Sequence, residues 1–296
     1  MAEKKTKAKN TGNVGVKQST LVWRQYRKST GAMIGLGIFI MLIVITVVSS
    51  FIWDYDTDIV GMNTSARLIA PCLEHPFGTD YMGRSILARV CYGTRYSLLI
   101  GLGAVAISSI FGITLGAIAG YFGGKVEATI MWFVELFLMV PNMLLTIVLV
   151  AVAGISLTNL IIAFGIATIP HFARNTRAAV MTVCGNEYVE AARAIGVSHW
   201  TIIATHIIPN ALSPILVQAT TRIGGCIVSS AGFSFLGLGV PAPTPEWGAM
   251  LSDAKPYMVE HPHLILFPGL AIFVTALAIN LIGDGLRDAL DPKLKR

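Results

Sequence analysis

The amino-acid sequence predicts an all-α membrane protein of about six transmembrane helices. Three observations carry that prediction. Only 13% of the 296 residues are charged while 54% are hydrophobic, and the mean hydropathy is +0.68; a soluble domain carries about 25% charge. Apolar runs of about 20 residues, the length that crosses a bilayer, recur along the chain. Lys and Arg are also shared unevenly among the segments joining those runs.

Residues 1–30 form a basic tail, with eight Lys/Arg between Met1 and Lys28. Gly31–Trp53 then runs without a charge. A signal-peptide core is about 7 to 15 residues, so this run reads as a retained first span, residues 31–53. Further spans are expected at Leu98–Gly120, Ile130–Ala153, Leu157–Phe172, Leu212–Leu236 and Leu264–Gly283, the fourth short and closing near Pro170. Six spans place both termini on one side. Segments 1–30, 121–126, 173–210 and 284–296 hold 16 of the 22 Lys/Arg, whereas 54–97 and 237–263 hold five. By the positive-inside rule, both termini and the loop 173–210 are expected in the cytoplasm, with 54–97 on the opposite side. The chain then divides into the tail, the first span, the extracytoplasmic loop 54–97, a core of five spans over 98–284 and a cytoplasmic tail, 285–296.

Within 54–97, Met82, Ile86, Leu87 and Val90 fall at helical spacing with Arg84 and Arg89 on other faces, which predicts an interfacial helix. The plainer role for Arg84, Arg89 and Arg95 is anchorage at the lipid headgroups; direct contact with a substrate is the alternative. Cys72 and Cys91 share this loop, and their pairing stays open. In the third span Glu135 precedes Pro141 by six residues. A carboxylate inside a membrane faces a cavity or a partner, and a proline bends a span where neighbours satisfy the freed carbonyl. Glu135 therefore reads either as a pathway or gate residue or as a hydrogen-bond partner of a neighbouring span. Arg222, inside the fifth span, has the same two readings, with Glu135 as a conceivable partner. The small residues from Ser229 to Gly239 suit close packing against a partner subunit.

A second long polar-containing stretch is Asn186–Pro214. Glu187 to Ile195 has helix-forming composition, Gly196 interrupts it, and Ser198 is a candidate N-cap for a second short helix ending before Pro209. Two short helices around a glycine suit docking on one side of a membrane. The order Glu190-Ala191-Ala192, three residues, Gly196, nine residues, then His206-Ile207-Ile208-Pro209 is similar to the EAA loop of importer-type ABC permeases. His206 and Ile208 depart from that family's general Ile and Leu, and the His-Ile-Ile-Pro-Asn ending looks like its peptide and nickel branch. His75 to Leu98, Pro245-Glu246-Trp247-Gly248 and Gly283 to Pro292 resemble the same branch. Related permeases commonly carry an acidic residue six before a proline like Pro141.

The resemblance implies a type I ABC importer permease fold, half a translocation pathway for di- or oligopeptides. A homologous permease would supply the other half as a heterodimer. Two cytoplasmic ATPase subunits, holding ATP and Mg, and an extracytoplasmic binding protein complete the machine in a bacterial inner membrane. Glu187, Glu190, Ala191, Ala192, Gly196 and Pro209 would couple this chain to the ATPases. The nickel or metal-chelate branch shares these motifs and is the alternative; a self-sufficient secondary transporter or channel predicts internal repeats, and none is visible.

Other chemistry lacks its motifs. There is no Gly-x-x-x-x-Gly-Lys-Ser/Thr phosphate loop and no His-Glu-x-x-His pair. Gly232 to Gly237 lacks the spacing of a nucleophile elbow, and His261-Pro262-His263 has no cysteine nearby to suggest a metal. No catalytic residue, resident cofactor or metal is therefore expected. No basic–aromatic pattern suggests nucleic acid, and the N-terminal lysines suit the anionic inner leaflet.

Overall fold

The computed structural model describes residues 18–290. Most of the basic tail and residues 291–296 lie outside the described residues. Apart from one isolated bridge between Thr79 and Ser85, the described residues form helices and loops. In chain order the helices are α1 (Gln18–Tyr26), α2 (Thr30–Ile52), α3 (Ile86–Phe122), α4 (Gly124–Leu138), α5 (Asn142–Ala153), α6 (Leu157–Cys184), α7 (Glu187–Ala194), α8 (His199–Thr201), α9 (Ile208–Phe235), α10 (Trp247–Ala254) and α11 (His263–Leu290). Five are long and apolar enough to cross a membrane: α2, α3, α6, α8 running into α9, and α11. The pair α4 and α5, bent by 87°, is apolar enough to make a sixth when the two are counted as one broken span. Its break falls at Pro141, as expected, where α4 has closed with Met139 N–H donating to the Glu135 carbonyl at 3.1 Å.

Several boundaries differ from expectation for physical reasons. No separate interfacial helix forms over Met82–Val90. Ser85 instead caps α3, accepting from the Ala88 N–H at 3.4 Å, and the segment continues into a 37-residue helix about 55 Å long. α6 does not stop near Pro170 but runs through it, because Phe172, Ala173 and Thr176 are buried beyond it. The second short helix does not end before Pro209. A π-helical turn, Ile202–Ile207, joins α8 to α9, and Pro209 sits in the first turn of α9, where a missing N–H is tolerated.

Close approach holds α3 against α6. A Cβ on Gly112 would strike Phe172, one on Gly116 the Ala173 carbonyl, and one on Gly120 the Arg177 carbonyl. Gly112, Gly116 and Gly120 are four apart and so share one helix face, letting the two backbones meet without side chains between them. Tyr26, Ala32 and Ala289 form a cluster joining α1, α2 and α11, so both described ends of the chain lie at one end of the bundle.

The opposite end is closed by the loop 54–85 and by α10. Trp247 is fully buried, and its Nε1–H donates to the Val90 carbonyl at 2.9 Å. Glu246 caps α10, accepting from the Ala249 N–H at 2.8 Å and from the Ser234 hydroxyl at 2.8 Å. Burial pushes the Glu246 carboxyl above the usual range, against the lowering effect of these hydrogen bonds. Ser230, Ala231 and Ser234 are buried within the chain, and a Cβ on Gly248 would press on Ala231 and Ser234. Part of the Ser229–Gly239 stretch thus packs against α10 of its own chain.

Arg84 and Arg89 sit in this closure, 3% and 2% exposed, rather than at headgroups. Arg84 Nε donates to Asp80 Oδ2 at 2.6 Å, and Arg89 Nη1 donates to the Ile59 carbonyl at 2.8 Å. Asp253 of α10 lies 4.0 Å from Arg84, and burial raises its carboxyl above the ordinary range. Arg95 instead stacks on Tyr92 at 3.6 Å and donates to the Thr46 carbonyl of α2 at 3.0 Å. Cys72 and Cys91 are both free thiols, Cys72 exposed in the loop and Cys91 in α3.

Candidate functional site

The stretch Asn186–Pro214 forms a rigid knob at the end of the bundle that holds the termini. α7 closes in a Schellman arrangement: Val197 N–H donates to the Ala192 carbonyl at 3.1 Å and Gly196 N–H to the Arg193 carbonyl at 3.0 Å. Gly196 stands at φ +79°, the left-handed conformation this cap requires. Ser198 then caps α8, accepting from the Thr201 N–H at 3.3 Å. Val189 and Ala192 are buried and belong to one cluster with Val180 and Val183 of α6 and with Ile202, Ile203 and Ile207 of the π turn. The knob is therefore welded to α6 on one side and α9 on the other.

The two alanines of the motif divide between the faces: Ala192 is buried and Ala191 exposed. Beside Ala191 the outer face carries Glu187, Tyr188 and Glu190, then Ile195, 80% exposed, and Trp200, 64% exposed. Glu190 makes no ion pair with Arg193 among the described residues. The Arg193 guanidinium lies 4.6 Å from the Tyr121 ring centroid, and the Tyr121 hydroxyl hydrogen-bonds His199 Nδ1 at 2.8 Å. Phe122 stacks edgewise on His199 and Trp200 at 5.7 and 6.0 Å. This aromatic brace between α3 and the knob escaped the sequence reading; its only trace is the Tyr121-Phe122 pair closing an apolar run.

The candidate pathway residues are not brought together as one site. Glu135 is exposed on α4, Pro141 stands at the break before α5, and Arg222 is half-buried on α9. Glu135 and Arg222 form no ion pair with each other. The acid–base contact of this region is Glu127 with Arg177, whose Nε donates to Glu127 Oε1 at 2.6 Å and ties α4 to α6. Arg222 lies instead within electrostatic reach of His171 of α6. Along the same seam, Gln218 Nε2 donates to the His171 carbonyl at 3.2 Å. A cavity of about 620 Å³ runs from Gln218 and Asn175 down to Thr182, Asn210 and Leu290.

A bundle of apolar spans, with a knob of short helices at one end and a closed cap at the other, is the architecture of a multi-pass membrane protein. Residues 112–296 match the family described as binding-protein-dependent transport system inner membrane component. Residues 17–71 match the N-terminal transmembrane domain of oligopeptide transport permease C. The chain is 44% identical over 273 residues to the dipeptide transport system permease protein DppC of Alkalihalophilus pseudofirmus, covering 92% of this chain and 89% of that protein. It is 45% identical over 277 residues to the glutathione transport system permease protein GsiD of Escherichia coli O6:K15:H31 (strain 536), covering 92% and 90%. Among solved structures, inward-facing MetNI methionine ABC transporter matches with a TM-score of 0.58 at 19% identity, over 70% of this chain and 97% of that one. The crystal structure of an amino acid ABC transporter with histidines matches with a TM-score of 0.54 at 17% identity, over 68% and 94%. The fold is thus that of ABC importer permeases. This chain belongs to the family of binding-protein-dependent transport system inner membrane components, and it is a multi-pass membrane permease.

Proposed function

We propose that the chain is one permease half of an ATP-driven importer of short peptides in a bacterial inner membrane. A homologous permease supplies the second half of the pathway, and two ATPase subunits, which hold ATP and Mg, dock on the knob from the cytoplasm. A binding protein delivers the solute to the capped end. Both termini then lie in the cytoplasm, a placement that the distribution of Lys and Arg supports. The peptide substrate is supported by the names of the relatives, a dipeptide permease and a glutathione permease, since glutathione is itself a short peptide.

One observation carries the coupling role. The knob presents Tyr188, Ala191, Ile195 and Trp200 to solvent at a polar end of the bundle, where single apolar groups gain nothing by exposure. Ala191 leaves room for a partner's backbone, and Glu187 and Glu190 flank it with negative charge. Because α7 is packed against α6 and the π turn, a displacement of the knob by the closing ATPases is transmitted to α6 and α9 as a rigid-body movement. Such a movement would expose the pathway alternately to the two sides. Pro141, at the break between α4 and α5, supplies a place where the pathway wall bends, and Glu135 stands one turn before the end of α4 as its gate residue.

Affinity purification from native membranes, followed by native mass spectrometry, tests the reading. Co-purification of an ATPase and a binding protein carrying short-peptide masses supports it. A binding protein carrying a metal chelate moves the substrate to that class, and absence of any ATPase under gentle extraction overturns the importer role.

A further inference from the structure

Midway along α6 and α9 the bundle holds positive charge that no carboxylate among the described residues neutralises. His171 is the fifteenth of 28 residues in α6 and Arg222 the fifteenth of 28 in α9, which places both at similar depth. His171 stands within electrostatic reach of Arg222 and of Arg174, one turn along its own helix. The four ion pairs among the described residues involve neither Arg174 nor Arg222. Charge within a span, as at Arg222, is costly and marks a route or a partner.

The surroundings favour a route. The cavity of about 620 Å³ continues the same two helix faces toward the termini, with Asn175 four residues beyond His171 and Gln218 four before Arg222. Past the cluster in the other direction, α9 exposes the small or polar residues Gly225, Ser229 and Gly232, with Val228 among them. A Cβ on Gly225 or Gly232 would meet nothing within 4 Å. The exposed face of α2, by contrast, is Ile40, Val44, Val47 and Phe51, as lipid contact requires. A polar seam of this kind, cationic at its midpoint and hollow below, suits an anionic solute in transit.

We propose that His171, Arg174 and Arg222 form a station on the seam of α6 and α9 for the carboxylate of the transported solute, with the cavity below as its exit. The proposal rests on the reading of this chain as a short-peptide permease: an unblocked peptide carries a free carboxylate, which a guanidinium recognises through two parallel hydrogen bonds. The station holds the solute weakly. Cations that are not enclosed and have no fixed partner among the described residues let a carboxylate both enter and leave, as conduction demands.

The test uses the complete importer. Uptake of a dipeptide into proteoliposomes by the wild type comes first; its absence defeats the peptide reading itself. Given uptake, equilibrium binding of that dipeptide and of its C-terminal amide is measured on the detergent-solubilised permease–ATPase complex without the binding protein. The acid is expected to bind the wild type about tenfold more tightly than the amide. Arg222→Gln and Arg174→Gln erase that difference, Arg222→Lys keeps part of it, and the thermal midpoint of the complex stays unchanged. Equal binding of acid and amide by the wild type, undetectable binding of both included, overturns the proposal. So does an equal loss of both ligands in the glutamine variants, the outcome expected if the arginines pair with a carboxylate of another subunit.

Discussion

Two pairs of arginines put the same charge to opposite uses. Arg84 and Arg89 are 3% and 2% exposed and lie among Asp80, Asp253 and the carbonyls of Ile59 and Pro243. Arg174 is exposed and Arg222 half-buried, and neither meets a carboxylate among the described residues. The difference lies in the loops. Residues 54–85 and α10 fold back over the start of α3 and enclose the first pair, whereas no described segment closes over the seam of α6 and α9. Enclosed charge persists only with its partners and acts as structure; open charge is available to whatever passes.

The sharpest way to break this comparison is to remove one arginine from each pair. Arg89→Ala strips Asp80 and the Ile59 carbonyl of a buried partner and should cost about 3–5 kcal/mol, seen as a collapsed thermal midpoint in detergent. Arg222→Ala in the same assay should shift stability by less than about 0.5 kcal/mol. Equal losses at the two positions would erase the distinction. Next in size, Gly112→Val drives a side chain into Phe172 and should cost about 1–3 kcal/mol of packing between α3 and α6, measurable by the same unfolding scan. That loss tests whether the seam depends on the backbones that frame it.

Gly196→Asp and Ala191→Glu act on the knob instead. Both should leave the chain in the membrane, with ATP hydrolysis continuing and peptide uptake lost; normal uptake by either variant would sink the coupling role. Gly196→Ala, which only strains the left-handed cap, should cost about 1–2 kcal/mol locally and reduce uptake less. The smallest effect concerns pH. The folded state holds the Glu246 carboxyl above its ordinary value by burial, so the stabilisation associated with its protonated form is complete below the ordinary glutamate range. It is lost as pH rises through the raised folded-state value. Glu246→Gln should flatten that slope; an unchanged pH profile would show that Glu246 contributes nothing to it.

The knob was largely legible in the sequence. Its helix, its glycine turn and its Ser198 cap depend on residues within a few positions of one another, and local propensity and capping decide such features. The break at Pro141 was legible for the same reason. The enclosed arginines were not. Arg89 is satisfied by Ile59 and Pro243, 30 and 154 residues away, and no spacing rule reports contacts of that range. Arg222 was singled out correctly as a charge within a span, but Glu135 was the wrong candidate for its neighbour. Periodicity places a residue on a face of its own helix and does not say which helix that face meets.

The sequence by itself determined the class of molecule, the approximate positions of its apolar spans and the position of the knob, because hydrophobicity, span length and capping are summed over neighbouring residues. Tertiary structure alone decided that α3 continues unbroken out of the bundle, that Ala192 is buried while Ala191 stays exposed, and that one pair of arginines is enclosed while another lines an open seam. Each of these depends on which distant segment supplies the missing hydrogen bonds or covers the apolar surface. In a membrane, where unsatisfied polar groups are costly, that choice of partner is settled only when all the helices are packed together.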